Sequence, residues 1–196
     1  MTDEPRRPRA VLVRHGQTEW SLSGQHTGRT DIPLTATGRH QAERLRDRLS
    51  RFTLSRVLTS PMSRAIETCE LAGVGDGAEV TDDLREWDYG DYEGRRTADI
   101  RTERPGWDLW THGVEGGEAV EEVGRRADRV IDVVRSVDGD VAVFAHGHLL
   151  RVLGARWIGL PPGGGRLLAL STASVSVLGW EREEAVIEQW NEVAGP

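Results

Sequence analysis

Two short apolar runs, at 10–13 and 140–145, restrict the possible folds more than any other feature of the chain, because a histidine and a glycine follow each of them: Arg14-His15-Gly16 after the first, His146-Gly147 after the second. Runs this short have no room for the three-to-four spacing of a surface helix; they match strands buried on both faces. A third run, 56–59, ends in Ser60-Pro61 and leads to Arg64. Between the runs the apolar spacing changes. Ala42, Leu45 and Leu49 follow Thr35; Ala65, Ile66, Cys69 and Leu71 follow Ser60-Pro61; and Val120, Val123, Ala127, Val130, Ile131, Val134 and Val137 step by threes and fours through 118–137. These are helical patterns, with Thr35 as an N-cap and Ser60-Pro61 as cap and first residue. Strands alternating with helices predict an α/β fold, a three-layer α/β/α sandwich with a mostly parallel central sheet.

The rest of the chain is read in the same way. A helix is expected at 149–158, a loop at 161–165, and strands at 166–170, 174–178 and 185–190, the last antiparallel at an edge. The aromatic, acidic stretch 84–94 has no clear period, and 95–117 reads as a lid-like insertion with a short helix before Pro105. The charged residues 1–9 are expected to be flexible. With 196 residues and 37% hydrophobic content, one domain over 1–196 is expected.

In open parallel sheets, ligands bind beyond the carboxyl ends of the strands. Here those ends bring together Arg14, His15, Arg64 and His146, a compact cationic pocket of the kind that holds a phosphate, with a helix N-terminus near Pro61 adding its dipole. One strand-terminal histidine is usually structural. A second His-Gly after a second buried strand, with an arginine after a third, is not explained by core packing, because unpaired buried cations are costly. Elsewhere, His40 falls on a solvated helix face, His26 and His112 are candidates for a pocket mouth, and His148 either caps its helix or reaches the site. The balance of 25 basic against 32 acidic residues, net −7, argues against nucleic acid or an anionic membrane surface as the main partner. No apolar run approaches the ~20 residues needed to cross a bilayer. Cys69 is the single cysteine, so no intrachain disulfide forms, and 1–9 lacks the apolar core of a signal peptide; a cytoplasmic location is expected.

The segment Leu12-Val13-Arg14-His15-Gly16-Gln17-Thr18-Glu19-Trp20 resembles the signature of the histidine phosphatase, or phosphoglycerate mutase-like, superfamily. Ser60-Pro61-Met62-Ser63-Arg64-Ala65-Ile66-Glu67-Thr68 resembles its second motif, Phe144-Ala145-His146-Gly147-His148 its third, and the stretch from Asp83 to Gly94 its proton-donor segment. Within the family, the short mycobacterial-type acid phosphatases and the sedoheptulose-bisphosphatase branch are the most similar. The resemblance implies a phosphoglycerate mutase-like fold and a phosphomonoester hydrolase that acts on small phosphorylated metabolites, such as sugar phosphates, through a phosphohistidine intermediate. It makes His15 the nucleophile and Glu86 the proton donor. Arg14, Arg64 and a protonated His146 would hold the phosphoryl oxygens, with no metal and no cofactor. Gln17, Ser21, Thr27 and the Gly28 amide are carried over as substrate contacts, against the alternative that they are ordinary turn residues. Glu86 has a case of its own, since Leu84 and Trp87 give it an apolar setting that favours the protonated form a general acid needs. Asp88, Asp91 and Glu93 are weaker candidates that would instead fix the loop.

Two departures from the family pattern stand out. Ser21 occupies a position where many relatives have asparagine, and 95–117 is shorter than the insertion of the mutases. Its glycines, Gly106, Gly113, Gly116 and Gly117, suggest an open, mobile cover, while Trp107 and Trp110 either wall the site or form a satellite core. The rival readings are a phosphoglycerate mutase and a catalytically silent phosphate-binding module; the presence of both His15 and Glu86 speaks against the second. The expected partner is a small-molecule phosphomonoester substrate. Arg29, Arg95, Arg96, Arg101 and Arg104 either bind a second phosphate or face solvent, and a homodimer is left open.

Overall fold

A computed structural model describes residues 7–193. Six strands, β1 (Arg9–Arg14), β2 (Leu54–Thr59), β3 (Glu79–Val80), β4 (Asp140–Ala145), β5 (Val175–Glu181) and β6 (Glu184–Glu192), form one sheet in the order β3-β2-β4-β1-β5-β6. The first four in that order are parallel; β5 and β6 add an antiparallel edge beside β1. All six residues of β4 are buried, as a central strand covered on both faces requires. Its side chains alternate between two cores. Val141, Val143 and Ala145 join Leu12 on one face; Ala142 and Phe144 join Val11 and Val13 on the other.

The helices are α1 (Glu19–Ser23), α2 (Ala36–Glu43), α3 (Arg46–Leu49), α4 (Ser63–Leu71), α5 (Thr97–Glu103), α6 (Leu109–His112), α7 (Val120–Arg135) and α8 (Gly147–Trp157). Helix α7 buries Val123, Ala127, Val130, Ile131 and Val134 against the first core, along with Leu149, Leu150 and Leu153 of α8. Each buried branched side chain there contributes about 1.5–3 kcal/mol. The second core takes Leu45, Leu49 and Cys69 from the segments around α3 and α4. Among the described residues, no helix is long and apolar enough to cross a membrane.

Several elements differ from expectation. The helix behind Thr35 breaks into α2 and α3. Helix α4 begins at Ser63, two residues beyond Pro61, and its N-cap Met62 offers no side-chain bond. Asp31 supplies the missing acceptor from another loop, receiving the Ser63 amide at 3.0 Å. No strand forms at 166–170. Residues Pro162–Leu167 instead make a 3-10 turn with Leu167 exposed, and the carbonyls that a ladder would use go to side chains: Leu170 O accepts from Arg14 and Ala169 O from Trp190. Nor are residues 7–9 free of the fold. Arg9 opens β1 and forms a bidentate pair with Asp140, and Pro8 O accepts from the Trp180 indole; residues 1–6 of the expected flexible leader lie outside the described residues. The 95–117 segment anchors Ile100, Trp107 and Leu109 in the core and is tied to the neighbouring loop by Asp91 N to Glu115 O, while residues 101–106 are exposed.

Candidate active site

Strand register assembles the site. Arg14 pairs with Ala145 across β1 and β4, so the next residues, His15 and His146, leave the sheet side by side with ring centroids 5.2 Å apart. Ser60 leaves β2 at the same level, its amide donating to Phe144 O. The turn after His15 depends on close packing: a Cβ on Gly16 would lie 2.4 Å from Gly38 O, so glycine is required where these two loops touch.

The His15 ring is buried, and its Nδ1 lies 2.7 Å from Gly16 O. A carbonyl only accepts, so Nδ1 carries the proton and Nε2 keeps a bare lone pair. Burial, together with the nearby charges of Arg14 and Arg64, pushes the His15 pKa well below its ordinary value. The imidazole is therefore neutral and nucleophilic at physiological pH. Arg14 donates through Nη1 to Leu170 O at 2.6 Å, while its Nε is the one buried side-chain nitrogen or oxygen among the described residues with no hydrogen-bond partner. Such a vacancy on a buried guanidinium suits an anion.

Arg64 and His146 are arranged differently from the expected phosphate ligands. Arg64 is fully buried, and its guanidinium donates to Thr30 O, Thr27 O and Gly28 O. Its Nε donates to His146 Nδ1 at 3.2 Å. Since Nδ1 accepts, the His146 proton sits on Nε2, which lies 2.7 Å from Ser60 Oγ. Burial first, then Arg64, His15 and Arg14, hold the His146 pKa well below normal, so this ring is neutral, against the expectation of a cation. Its two nitrogens are both occupied by protein groups.

Glu86 sits in the loop ahead of a 3-10 turn (Gly90–Tyr92), between the buried Leu84 and Trp87. Its Oε1 accepts from the amides of Trp87 and Leu149, and its Oε2 from the amide of His148, each at 2.9 Å. Two of these amides belong to the first turn of α8. A carboxylate has about four lone-pair sites, and Oε2, with one amide donor, keeps room for a substrate oxygen.

A cavity of about 250 Å³ is lined by Arg14, His15, Glu86, Gly147, His148 and Arg151, together with Ser21, His26, Thr27 and Tyr89 among others; Arg64 and His146 are not in its lining. Of the substrate contacts carried over from sequence, Ser21 and Thr27 therefore reach the cavity. Ser21 Oγ is also engaged with the Thr18 backbone, closing a capping box on α1. Gln17 does not line it; its side chain accepts from Thr35 Oγ1. The Gly28 amide is bound to the Glu93 carboxylate, as is that of Thr30, so Glu93 clamps the loop whose carbonyls hold Arg64. His26 lines the cavity, whereas His112 pairs with Asp108 on α6. His148 also lines it, with Nδ1 2.7 Å from the Tyr89 hydroxyl. Burial depresses its pKa well below normal and that of His26 to about 4. Trp107 and Trp110 stand behind these rings, 5.8 Å from His26 and 5.4 Å from His148.

Tyr89 and Arg151 are among the lining residues that sequence reasoning passed over. Tyr89 lay in a stretch without period. Arg151 sits at the fifth position after His146-Gly147 begins, one helical turn along α8 from Gly147, and that spacing was a usable signal. Among the described residues, no cluster of three or more His, Cys, Asp or Glu side chains is arranged to hold a metal ion.

Residues 10–193 match the family model of the histidine phosphatase superfamily (branch 1). The chain is 43% identical over 180 residues to an acid phosphatase of Mycobacterium tuberculosis, covering 90% of this chain and 88% of that protein. It is 39% identical over 186 residues to a sedoheptulose 1,7-bisphosphatase of Saccharomyces cerevisiae, covering 78% and 68%. A solved structure of an open reading frame product from Mycobacterium tuberculosis superposes with a TM-score of 0.91 at 40% identity, covering 96% of this chain and 99% of that one.

Proposed function

The chain belongs to the histidine phosphatase superfamily and is a phosphatase, and from that premise we propose that His15 Nε2 is its nucleophile, Glu86 its proton donor and acceptor, and Arg14 its principal phosphate ligand. The observation that carries this reading is the neutral His15 ring, oriented by Gly16 O, on the wall of a cavity that Arg14, with its buried and unpartnered Nε, also lines.

In the first step Nε2 attacks phosphorus in line, the P–O bond to the alcohol breaks, and protonated Glu86 gives its proton to the departing alkoxide. Water then attacks the phosphohistidine, the P–N bond breaks, and Glu86 takes the proton released. Arg14 stabilises the phosphoryl oxygens directly. Arg64 acts from behind His15: its charge favours the neutral imidazole and an anion beyond it, while its donors stay on the 27–30 carbonyls. His146, locked between Arg64 and Ser60, fixes that arrangement.

A cavity of about 250 Å³ lies just below the range of drug-sized ligand sites, which starts at ~300 Å³, and favours small phosphorylated metabolites such as sugar phosphates. The proposal extends to a cytoplasmic setting, on the ground of a single buried, unpaired Cys69. The test is rapid-quench labelling with a phosphate-labelled substrate. An acid-labile, base-stable label that is absent from His15→Ala is expected; an acid-stable, base-labile label, the mark of a serine or threonine ester, would overturn the assignment.

A further inference from the structure

The arginines that sequence suggested for a second phosphate are all engaged with other protein groups. Arg29 pairs with Asp88, Arg95 with Glu103 and Arg96 with Asp99, while Arg101 donates to Trp107 O and Arg104 to the Tyr92 hydroxyl. Arg151 differs. Its side chain reaches the catalytic cavity, where the charge of Glu86 acts on it, and it forms no ion pair among the described residues, although acidic side chains outnumber basic ones in this chain.

Arg151 is held in place without being neutralised. Its guanidinium lies 4.7 Å from the Trp110 ring, a distance at which the aromatic face stabilises the cation. Its Nε donates to Gly165 O and its Nη2 to Arg166 O, which leaves Nη1 for another acceptor. Gly165 allows this approach, since a Cβ there would stand 2.9 Å from both the Arg151 backbone and Trp110. Glu86 is the single carboxylate on the cavity wall, and three backbone amides already hold it. The cavity thus presents two arginines with spare donors, Arg14 and Arg151, against the one carboxylate of Glu86, whose charge acts on both.

We propose that Arg151 is a specificity residue that binds a second anionic group, phosphate or carboxylate, on the alcohol portion of the substrate while Arg14 binds the phosphate being cleaved. This rests on the phosphatase reading above and adds a substrate class: phosphomonoesters carrying a second negative charge. A guanidinium pinned on one edge and stacked on an indole loses little freedom when an anion docks on its remaining edge.

The test compares kcat/KM within two matched pairs, fructose 1,6-bisphosphate against fructose 1-phosphate, and 3-phosphoglycerate against glycerol 3-phosphate. The wild-type ratio is expected to be about ten or more in at least one pair; the pair that shows it identifies the second group as phosphate or carboxylate. Losing a charge-assisted hydrogen bond lowers binding about ten- to hundred-fold, so Arg151→Met should reduce that ratio by such a factor, through KM, and Arg151→Lys should restore part of it. A wild-type ratio near one in both pairs, or an unchanged ratio in Arg151→Met, overturns the proposal. If Arg151→Met fails to fold, the wild-type ratio decides: a ratio that falls as salt is raised supports the assignment, and one indifferent to salt overturns it. Hydrolysis of p-nitrophenyl phosphate by the wild type separates the two readings, since its absence refutes the phosphatase assignment itself.

Discussion

Lowering the pH from 7.5 to 5.5 should remove a large part of this protein's stability, because four histidines, three buried and His148 half-buried, resist protonation in the fold. Burial and neighbouring positive charge hold the pKa values of His15, His146 and His148 well below normal, and burial holds that of His26 near about 4. In the unfolded chain each ring takes up a proton as pH falls through about 6.5. The folded protein does not, so the unfolded state binds more protons and stability declines with falling pH from about 6.5 downward. One unit below the unfolded value, at pH 5.5, each neutral ring costs about 1.4 kcal/mol. Four together cost roughly 5–6 kcal/mol, against a total stability of about 5–15 kcal/mol for a typical domain. Ordinary carboxylates are still ionised at pH 5.5, so the histidines dominate this window. The assay is urea unfolding at both pH values in buffer without phosphate, whose binding would oppose the effect. His26→Gln removes one titrating group and should shrink the pH-dependent difference by about 1.4 kcal/mol. A wild-type difference below about 1.5 kcal/mol, or an unchanged difference in His26→Gln, would refute the reasoning.

Three further outcomes are expected. Glu86→Gln should slow phosphoenzyme formation from alkyl phosphates about 10²–10⁴-fold and from p-nitrophenyl phosphate far less, because p-nitrophenolate leaves without a proton; single-turnover kinetics with equal losses on both would exclude Glu86 as the donor. Arg14→Lys keeps the charge but removes the unpartnered Nε, and should lower kcat/KM for p-nitrophenyl phosphate by about 10²-fold; a loss under about threefold would show that Arg14 does not bind the phosphate. With 3-phosphoglycerate and catalytic 2,3-bisphosphoglycerate, free phosphate should accumulate faster than 2-phosphoglycerate; rapid isomerisation with little phosphate released would mean that the site shields its phosphohistidine as a mutase must.

Much of the frame was legible because its signals are local and repeated. The apolar run of β4 and the six residues of helical spacing within α7 each report burial directly. Elements missed or misplaced lack such repetition. Helix α1 is five residues long, held by the reciprocal bonds of Thr18 and Ser21, and β3 is two exposed residues on the sheet's edge. At 166–170 the apolar letters suggest a strand, yet the side chains of Arg14 and Trp190 take the backbone acceptors there. A competition of this kind is settled by tertiary contacts that no local pattern contains.

The same distinction separates the two kinds of information in the site. Which residues stand at the strand ends follows from the fold, so His15, Arg14 and His146 were identifiable from the sequence. What each one is free to bind depends on which neighbours reach it first. Arg64 and Arg151 both project from helices that follow parallel strands, and both are at least partly buried. Arg64 meets the 27–30 loop, where three carbonyls and a histidine nitrogen take four of its five N–H donors, and its Nη1 lies 3.7 Å from Asp31. Arg151 meets two carbonyls and the face of Trp110, and keeps Nη1. Position alone made Arg64 the obvious phosphate ligand and left Arg151 unnoticed. On the proposed reading the hydrogen-bond accounting divides the labour otherwise: Arg64 is spent on the loop behind His15, where burial and Arg14 do more than it does to keep the ring neutral, and Arg14 and Arg151, with more donors to spare, select what His15 meets.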